Sequence, residues 1–314
     1  MSASPAGNGI ELDYFVVDVF TATPFAGNPL AVVFDTAGLA SARMQAIACE
    51  FNLSETTFVQ RRTAEIEAAE GVRVRIFTTQ EELPFAGHPT LGTASVLKLE
   101  APQVVRDNVI TLALNVGPIP VRFGDPPPGT GADCLFGEMT QRDPEFGAEL
   151  DPAEVARLTG LALDDLDPLL TPQVVSTGNG FAIVALRSVA ALARLKVDHD
   201  EATPWLREKG GRWFYVLAPA SLSGSSSNHR EYRARMQFYG GEDPATGSAA
   251  GCAISYLVAR GAVASDERIL VRQGVEMGRA SELFLAARSQ GSKVTDVRVA
   301  GSTTRVARGH IRLP

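Results

Sequence analysis

The sequence predicts an α+β protein of two pseudo-symmetric domains, each mostly antiparallel sheet with two helices, and three observations carry that expectation. The first is a repeat. GHPTLGTASVL, starting at Gly87, lines up with EDPATGSAAGC when His88 is placed on Asp243; Pro89 then falls on Pro244, Gly92 on Gly247, Thr93 on Ser248 and Ala94 on Ala249. The second is another repeat in the same order and at nearly the same offset, about half the chain. AGNPLAVVFDTAGLASAR, from Ala26, matches TGNGFAIVALRSVAALAR, from Thr177, through Gly27/Gly178, Asn28/Asn179, Ala31/Ala182 and Val33/Val184. Self-similarity at one fixed spacing marks a duplicated structural unit. The third is period-two alternation in short runs: Val72, Val74 and Ile76 share one face of VRVRIFT while Arg73 and Arg75 share the other, and YRARMQFY repeats the pattern before the second motif.

The elements follow in order. A helix is expected over about Ser41 to Phe51, where Met44, Ile47 and Phe51 form one stripe, and Asn52 suits its C-terminal end. Thr56 to Gln60 reads as a strand. A second helix is expected over about Pro89 to Leu99, and VITLALNVGPIPVRF, from Val109 to Phe123, reads as hairpin material. GDPPPGTGAD, from Gly124 to Asp133, cannot continue regular structure and marks a linker, which divides the chain into 1–125 and 126–304. In the second half the matching helices fall at Ala190 to Lys196 and Ala249 to Ala259, and SGSSSNH, from Ser223 to His229, reads as a surface loop.

Composition narrows the function. The 314 residues suit two domains, and an apolar content of 45% is ample for cores. Lys and Arg total 29 against 36 Asp and Glu, a net charge of −7, with no basic run; this argues against nucleic acid and membrane surfaces and for a small ligand. No apolar run reaches the roughly 20 residues that span a bilayer, and the opening MSASPAGNGIELD has no leader pattern, so a cytoplasmic protein is expected. Cys49, Cys134 and Cys252 are odd in number and far apart, and His88, His199, His229 and His310 lack metal-site spacing, so neither disulfides nor a metal is expected. Nucleotide-binding motifs are absent from the sequence, and no cofactor is expected.

The paired motifs carry the chemistry. A small-residue turn running into a helix leaves first-turn N–H groups pointing outward with partial positive charge. Two such starts meeting at a cleft would grip a carboxylate, and Gly87, Gly92 and Gly247 would let the backbone approach it closely. The same residues also suit a plainer reading, in which Asp243 caps a helix, His88 is satisfied by backbone, and the glycines only make turns. Glu55, in NLSETTF, sits where the first helix hands over to a strand, a position at which a carboxylate is commonly just solvated.

VDVFTATPFAGNPLAVV, FNLSETTF, LPFAGHPTLGTA, GEDPATGSA and VRQGVEMGRAS, spread from Val17 to Ser281, resemble the PhzF (phenazine-biosynthesis-like) family. The resemblance implies a diaminopimelate epimerase-like fold: in each domain a curved mixed sheet wraps a central helix, the active site lies in the cleft between the domains, and the closing residues 305–314 return to the first. It also implies roles. Glu55 matches the family's acid/base glutamate in N-x-S-E-T; His88 and Asp243 match its other catalytic polar groups; and Ser54, Gly87, Gly247 and Ser248 fall where the substrate is bound. The expected reaction is a cofactor-independent hydrogen shift on a small carboxylic acid, like that of trans-2,3-dihydro-3-hydroxyanthranilate isomerase, in a protein expected to form a homodimer. Related racemases place a cysteine at each motif turn, whereas here the turns read Phe85-Ala86-Gly87-His88 and Asp243-Pro244-Ala245-Thr246. Epimerisation of an amino acid-like metabolite, or carboxylate binding without chemistry, are the alternatives.

Overall fold

A computed structural model describes residues 10–126, 130–131, 133–220, 229–238, 241–291 and 293–313. Of the expected loop at Ser223–His229, all but His229 lies outside the described residues, as do residues 127–129 and 132 of the Gly124–Asp133 linker.

The first half runs β1 (Ile10–Val19), β2 (Asn28–Val33), α1 (Ser41–Phe51), β3 (Glu55–Gln60), α2 (Ala64–Glu70), β4 (Val72–Phe77) and β5 (Glu82–Leu83). It continues with α3 (Gly87–Glu100), β6 (Val109–Leu114), β7 (Gly117–Gly124) and β8 (Cys134–Thr140); β8 lies past the boundary expected at 125/126 yet pairs with β7, so the first sheet takes in the strand beyond the Gly124–Asp133 stretch. The second half has β9 (Glu145–Glu149), α4 (Pro152–Thr159), β10 (Gln173–Ser176), β11 (Gly180–Ala185), α5 (Val189–Ala193), α6 (His199–Glu208) and β12 (Trp213–Pro219). There follow β13 (Arg230–Arg235), the small pair β14 (Gln237–Phe238) and β15 (Gly241–Glu242), α7 (Gly247–Ala259), β16 (Ile269–Gln273), β17 (Ser281–Gln290) and β18 (Lys293–Leu313).

Each half is a curved, mixed and mostly antiparallel sheet around one central helix. Strands run β1-β2-β3-β4-β6-β7-β8-β18, and β18 pairs back onto β1 from Ile10↔Leu313 to Val19↔Thr303, which closes the sheet around α3. The second sheet runs β18-β17-β16-β13-β12-β11-β10-β9 around α7. Parallel pairing occurs at matching places, β2 with β3 and β4 with β6 in one half, β11 with β12 and β13 with β16 in the other. The halves also exchange chain. β18 begins against β17 and ends against β1, while β8 pairs with β7 and the next strand, β9, pairs with β10. No helix among the described residues is long and apolar enough to cross a membrane.

The central helices show no polar face. Gly87 to Leu97 of α3 and Gly247 to Val258 of α7 are buried without a break, as a helix enclosed on all sides must be. Their hydroxyls are satisfied locally: Thr90 and Ser95 donate to the Ala86 and Leu91 carbonyls at 2.7 and 2.9 Å, and Ser255 to Gly251 at 2.7 Å. Large side chains such as Phe20, Phe85, Tyr215 and Tyr256 fill the space around them, each fully buried apolar side chain contributing about 1.5–3 kcal/mol.

Both central helices start two residues earlier than the sequence suggests, at Gly87 and Gly247, because a proline or a small residue is as acceptable in a first turn as at its edge. The helix expected at Ala190 to Lys196 is instead Val189–Ala193, capped by the Ser188 hydroxyl; it ends early because the chain turns so that Lys196 N–H donates to the Thr159 carbonyl at 3.1 Å.

Candidate active site

The two helix starts meet N-terminus to N-terminus. A Cβ built on Gly87 would lie 2.4 Å from the Gly247 carbonyl carbon and the Ser248 nitrogen, so only glycine lets the backbones approach this closely. Two asparagines lace the junction. Asn28 Nδ2, at the start of β2, donates to the Ala245 carbonyl at 2.8 Å, and Asn179 Nδ2 donates to the Phe85 carbonyl at 2.7 Å. Each acceptor lies two residues before the opposite half's central helix.

This lacing corrects the sequence register. Gly87 is the counterpart of Gly247, and His88 of Ser248; His88 is not the counterpart of Asp243, which lies ahead of α7. The shared proline, glycine and alanine spacing had aligned the two turns five residues out of step. Strand register completes the equivalence, for Leu30 pairs with Glu55 at the start of β3 just as Phe181 pairs with Trp213 at the start of β12.

Glu55, Asp243 and Ser248 line one cavity with Thr78, Trp213 and Phe238, its free space ≈ 20 Å³. His88 points at the same carboxylate, its Nε2 3.5 Å from Glu55 Oε2, and neither atom has a hydrogen-bond partner. At that separation the two buried polar groups face each other without a direct hydrogen bond.

Asp243 is more tightly held. Asn28 Nδ2 donates to its Oδ1 at 2.7 Å, and the Ser54 hydroxyl lies 3.4 Å from the same oxygen. Gln273 Nε2 donates to Thr246 Oγ1 at 2.9 Å and to the Asp243 carbonyl at 2.8 Å, so the Thr246 hydroxyl hydrogen is free to go to Asp243 Oδ2, 2.6 Å away. Asp243 therefore does not cap α7; its carboxyl takes a hydroxyl and an amide, and α7 starts without a side-chain cap.

Burial sets the proton affinities. It holds the Glu55 carboxyl well above the usual carboxylate range, helped by the neighbouring Asp243 charge. It raises Asp243 to about 7, against the hydrogen bonds from Thr246, Asn28 and Ser54. It drives His88 down to about 3, so the imidazole is neutral. Cys252, on α7, lies 3.6 Å from the Thr177 hydroxyl, and burial pushes its thiol up to about 12, which leaves it protonated and unreactive. Among the described residues no group of three or more His, Cys, Asp or Glu side chains comes together as a metal site.

Of the eight residues singled out in the sequence, seven lie at this junction: Glu55, His88, Asp243 and Ser248 around the cavity, Ser54 on Asp243, and Gly87 and Gly247 where the helices touch; Gly92 does not, because its missing Cβ makes room for Leu30 and Val19 inside the first half. Sequence reasoning missed Asn28, Thr246, Gln273 and Trp213. Asn28 had one signal, its match to Asn179 in the repeat.

Residues 17–309 match the family described as phenazine biosynthesis-like protein, PhzC-PhzF. The trans-2,3-dihydro-3-hydroxyanthranilate isomerase of Pseudomonas aeruginosa is 36% identical over 303 residues, 96% of this chain and 99% of that protein. A Bacillus anthracis phenazine biosynthesis protein of the PhzF family superposes with a TM-score of 0.80 at 26% identity, covering 96% of this chain and 99% of the other. A hydroxyproline epimerase from Agrobacterium vitis shares the fold alone, with a TM-score of 0.61 at 11% identity over 96% of this chain and 93% of its own.

Proposed function

The chain is an isomerase of the phenazine biosynthesis-like family, to which it belongs along nearly its whole length, and we propose on that premise that it works with a single base, Glu55. In this reading it moves a hydrogen between two carbons of a small, ring-shaped carboxylic acid without a cofactor. The observation that carries it is the asymmetry of the junction. Where the first half presents Glu55 and His88, the second half presents Trp213 and Ser248, so the position equivalent to Glu55 carries no carboxyl.

Glu55 takes the proton from one carbon, the electron pair moves along the conjugated system, and the same carboxyl returns the proton to another carbon. A carboxyl whose proton affinity is raised by burial holds that proton long enough to deliver it. Neutral His88 donates from its ring to the Glu55 carboxylate or to a polar group of the substrate, and Asp243 anchors a donor such as an amino or hydroxyl group. Ser248 and the first-turn N–H groups of α3 and α7 receive the substrate carboxylate and steady charge that builds during transfer. Phe181, Trp213 and Phe238 supply an apolar, aromatic lining that suits a ring.

The substrate assigned is trans-2,3-dihydro-3-hydroxyanthranilate or an acid of the same shape. Purified protein mixed with that compound should convert it, followed by proton NMR, with no added metal or organic cofactor. An inert mixture, alongside epimerisation of an amino acid such as proline, would replace this reading with the epimerase one. The reading extends to a cytoplasmic homodimer, for which the exposed Phe25, Val275 and Met277 offer an apolar face on two loops joined by Arg279. Light scattering on the parent and on Phe25→Glu tests it, a dimer becoming a monomer.

A further inference from the structure

We propose that Asn28 is a positioning residue that sets the proton of His88, holding the imidazole as the tautomer protonated on Nε2 and aimed at Glu55. The proposal concerns the resting protein and leans on the proposed function only for the consequence to turnover.

Asn28 is fully buried, and three groups converge on its Nδ2: Asp243 Oδ1 at 2.7 Å, the Ala245 carbonyl at 2.8 Å and His88 Nδ1 at 3.0 Å. The two oxygens decide which way the amide faces. Turned over, it would set its own oxygen against the Ala245 carbonyl, which has no hydrogen to give. Nδ2 therefore faces all three groups, and an amide nitrogen donates but does not accept. Its two hydrogens go to the two oxygens and are shared with Nδ1 in a three-centre bond, and a proton on His88 Nδ1 would face a nitrogen that cannot accept it, so Nδ1 is the bare nitrogen. Since the ring is neutral, its one proton sits on Nε2, the nitrogen 3.5 Å from Glu55 Oε2.

The same amide contacts Asp243, which comes from the other half of the chain. One side chain thus ties the two titratable groups flanking Glu55 into a fixed arrangement, in which His88 offers a hydrogen and Asp243 Oδ1 accepts one. Asn179 provides the comparison. It makes the equivalent bond to the Phe85 carbonyl, but Ser248 stands where an imidazole would be.

Histidine tautomers are read directly from long-range proton–nitrogen correlations in protein carrying 15N-histidine. The chain has four histidines, and His88 is assigned by the signal lost in His88→Gln. In the parent protein near pH 7, without substrate, the Nδ1 shift should be that of a bare nitrogen and the Nε2 shift that of a protonated one. In Asn28→Ala the preference should collapse to a mixture of the two forms, whereas Asn179→Ala should leave the His88 shifts unmoved. Turnover in Asn28→Ala should fall about 10–100-fold through kcat, with KM within about threefold. A parent spectrum with the proton on Nδ1 overturns the proposal, and so does an unchanged tautomer in folded Asn28→Ala. Both results stand whether or not the protein isomerises a dihydroanthranilate, so a failure here is separable from a failure of the proposed reaction.

Discussion

Set side by side, the two halves agree in frame and differ in chemistry. Asn28 and Asn179 lace the same junction, Gly87 and Gly247 start the same helix, and parallel strand pairs recur at the same places. Yet Glu55 corresponds to Trp213 and His88 to Ser248. The conserved part is what holds two helix starts together; the divergent part is what handles a proton. In such a junction one half supplies the titratable groups and the other a wall and an anion seat, although Asp243, borrowed from the second half, shows that the division is by position around the cavity and not strictly by chain.

Breaking that asymmetry is the largest test. Glu55→Gln keeps the shape of the side chain and removes its exchangeable role, so turnover should fall about a hundredfold or more while the protein still folds. Loss of the same size in Trp213→Phe would mean that the halves contribute alike. A single-turnover reaction in deuterated water sharpens the point, since one shielded base returns part of the original hydrogen to the product, whereas two bases on opposite faces deliver deuterium throughout.

The shared frame is tested next. Gly87→Ala puts a methyl 2.4 Å from backbone atoms of the opposite half, so the helix starts must move apart, at about 1–3 kcal/mol in denaturant unfolding. Gly247→Ala should cost less, because its methyl would meet the Phe20 ring at 2.9 Å and the nearest backbone at 3.1 Å.

A third measurement separates the proton-handling side by pH. The folded-state affinity of Asp243 is raised from 3.8 to about 7, so between those values the folded protein binds more protons than the unfolded one. Its contribution to stability is present at low pH and is lost as pH rises toward 7. Asp243→Asn removes that loss. Relative to the parent, the variant should gain about 1–2 kcal/mol between pH 4 and pH 7 and nothing further above it, allowing for a proton shared with Glu55. A constant difference across that range would contradict the raised affinity. The smallest effect is expected on the other side: Trp213→Phe should raise KM about threefold and leave kcat almost unchanged.

How far the sequence reached follows from the range of each signal. The α1 stripe, the β6–β7 hairpin and the α7 motif are written in neighbouring residues, and they emerged near their true places. α4 was written there too, with Asp151 as cap, Pro152 in the first turn and Gly160 in the left-handed closing position, and it was simply not read. Asn28 is different. Its partners are 60 to 217 residues away, and no local pattern says that an asparagine at a strand start reaches an imidazole in one half and a carboxyl in the other. Trp213 was hidden for a related reason, since its correspondence to Glu55 lies in strand register and not in residue type.

The exchange of β18 and of the β8–β9 passage between the halves fixes when the protein can fold as well as how. During synthesis β1 leaves the ribosome well ahead of its partner, Thr303 to Leu313, with every other strand made in between. The first barrel therefore waits, with one seam open along β1 and α3 unsealed, until β18 has been made. Its completion and that of the second sheet become one late event, slow because its contacts are so far apart in sequence, and a ribosome that stalls anywhere in the second half leaves an apolar interior exposed to the cell's chaperones.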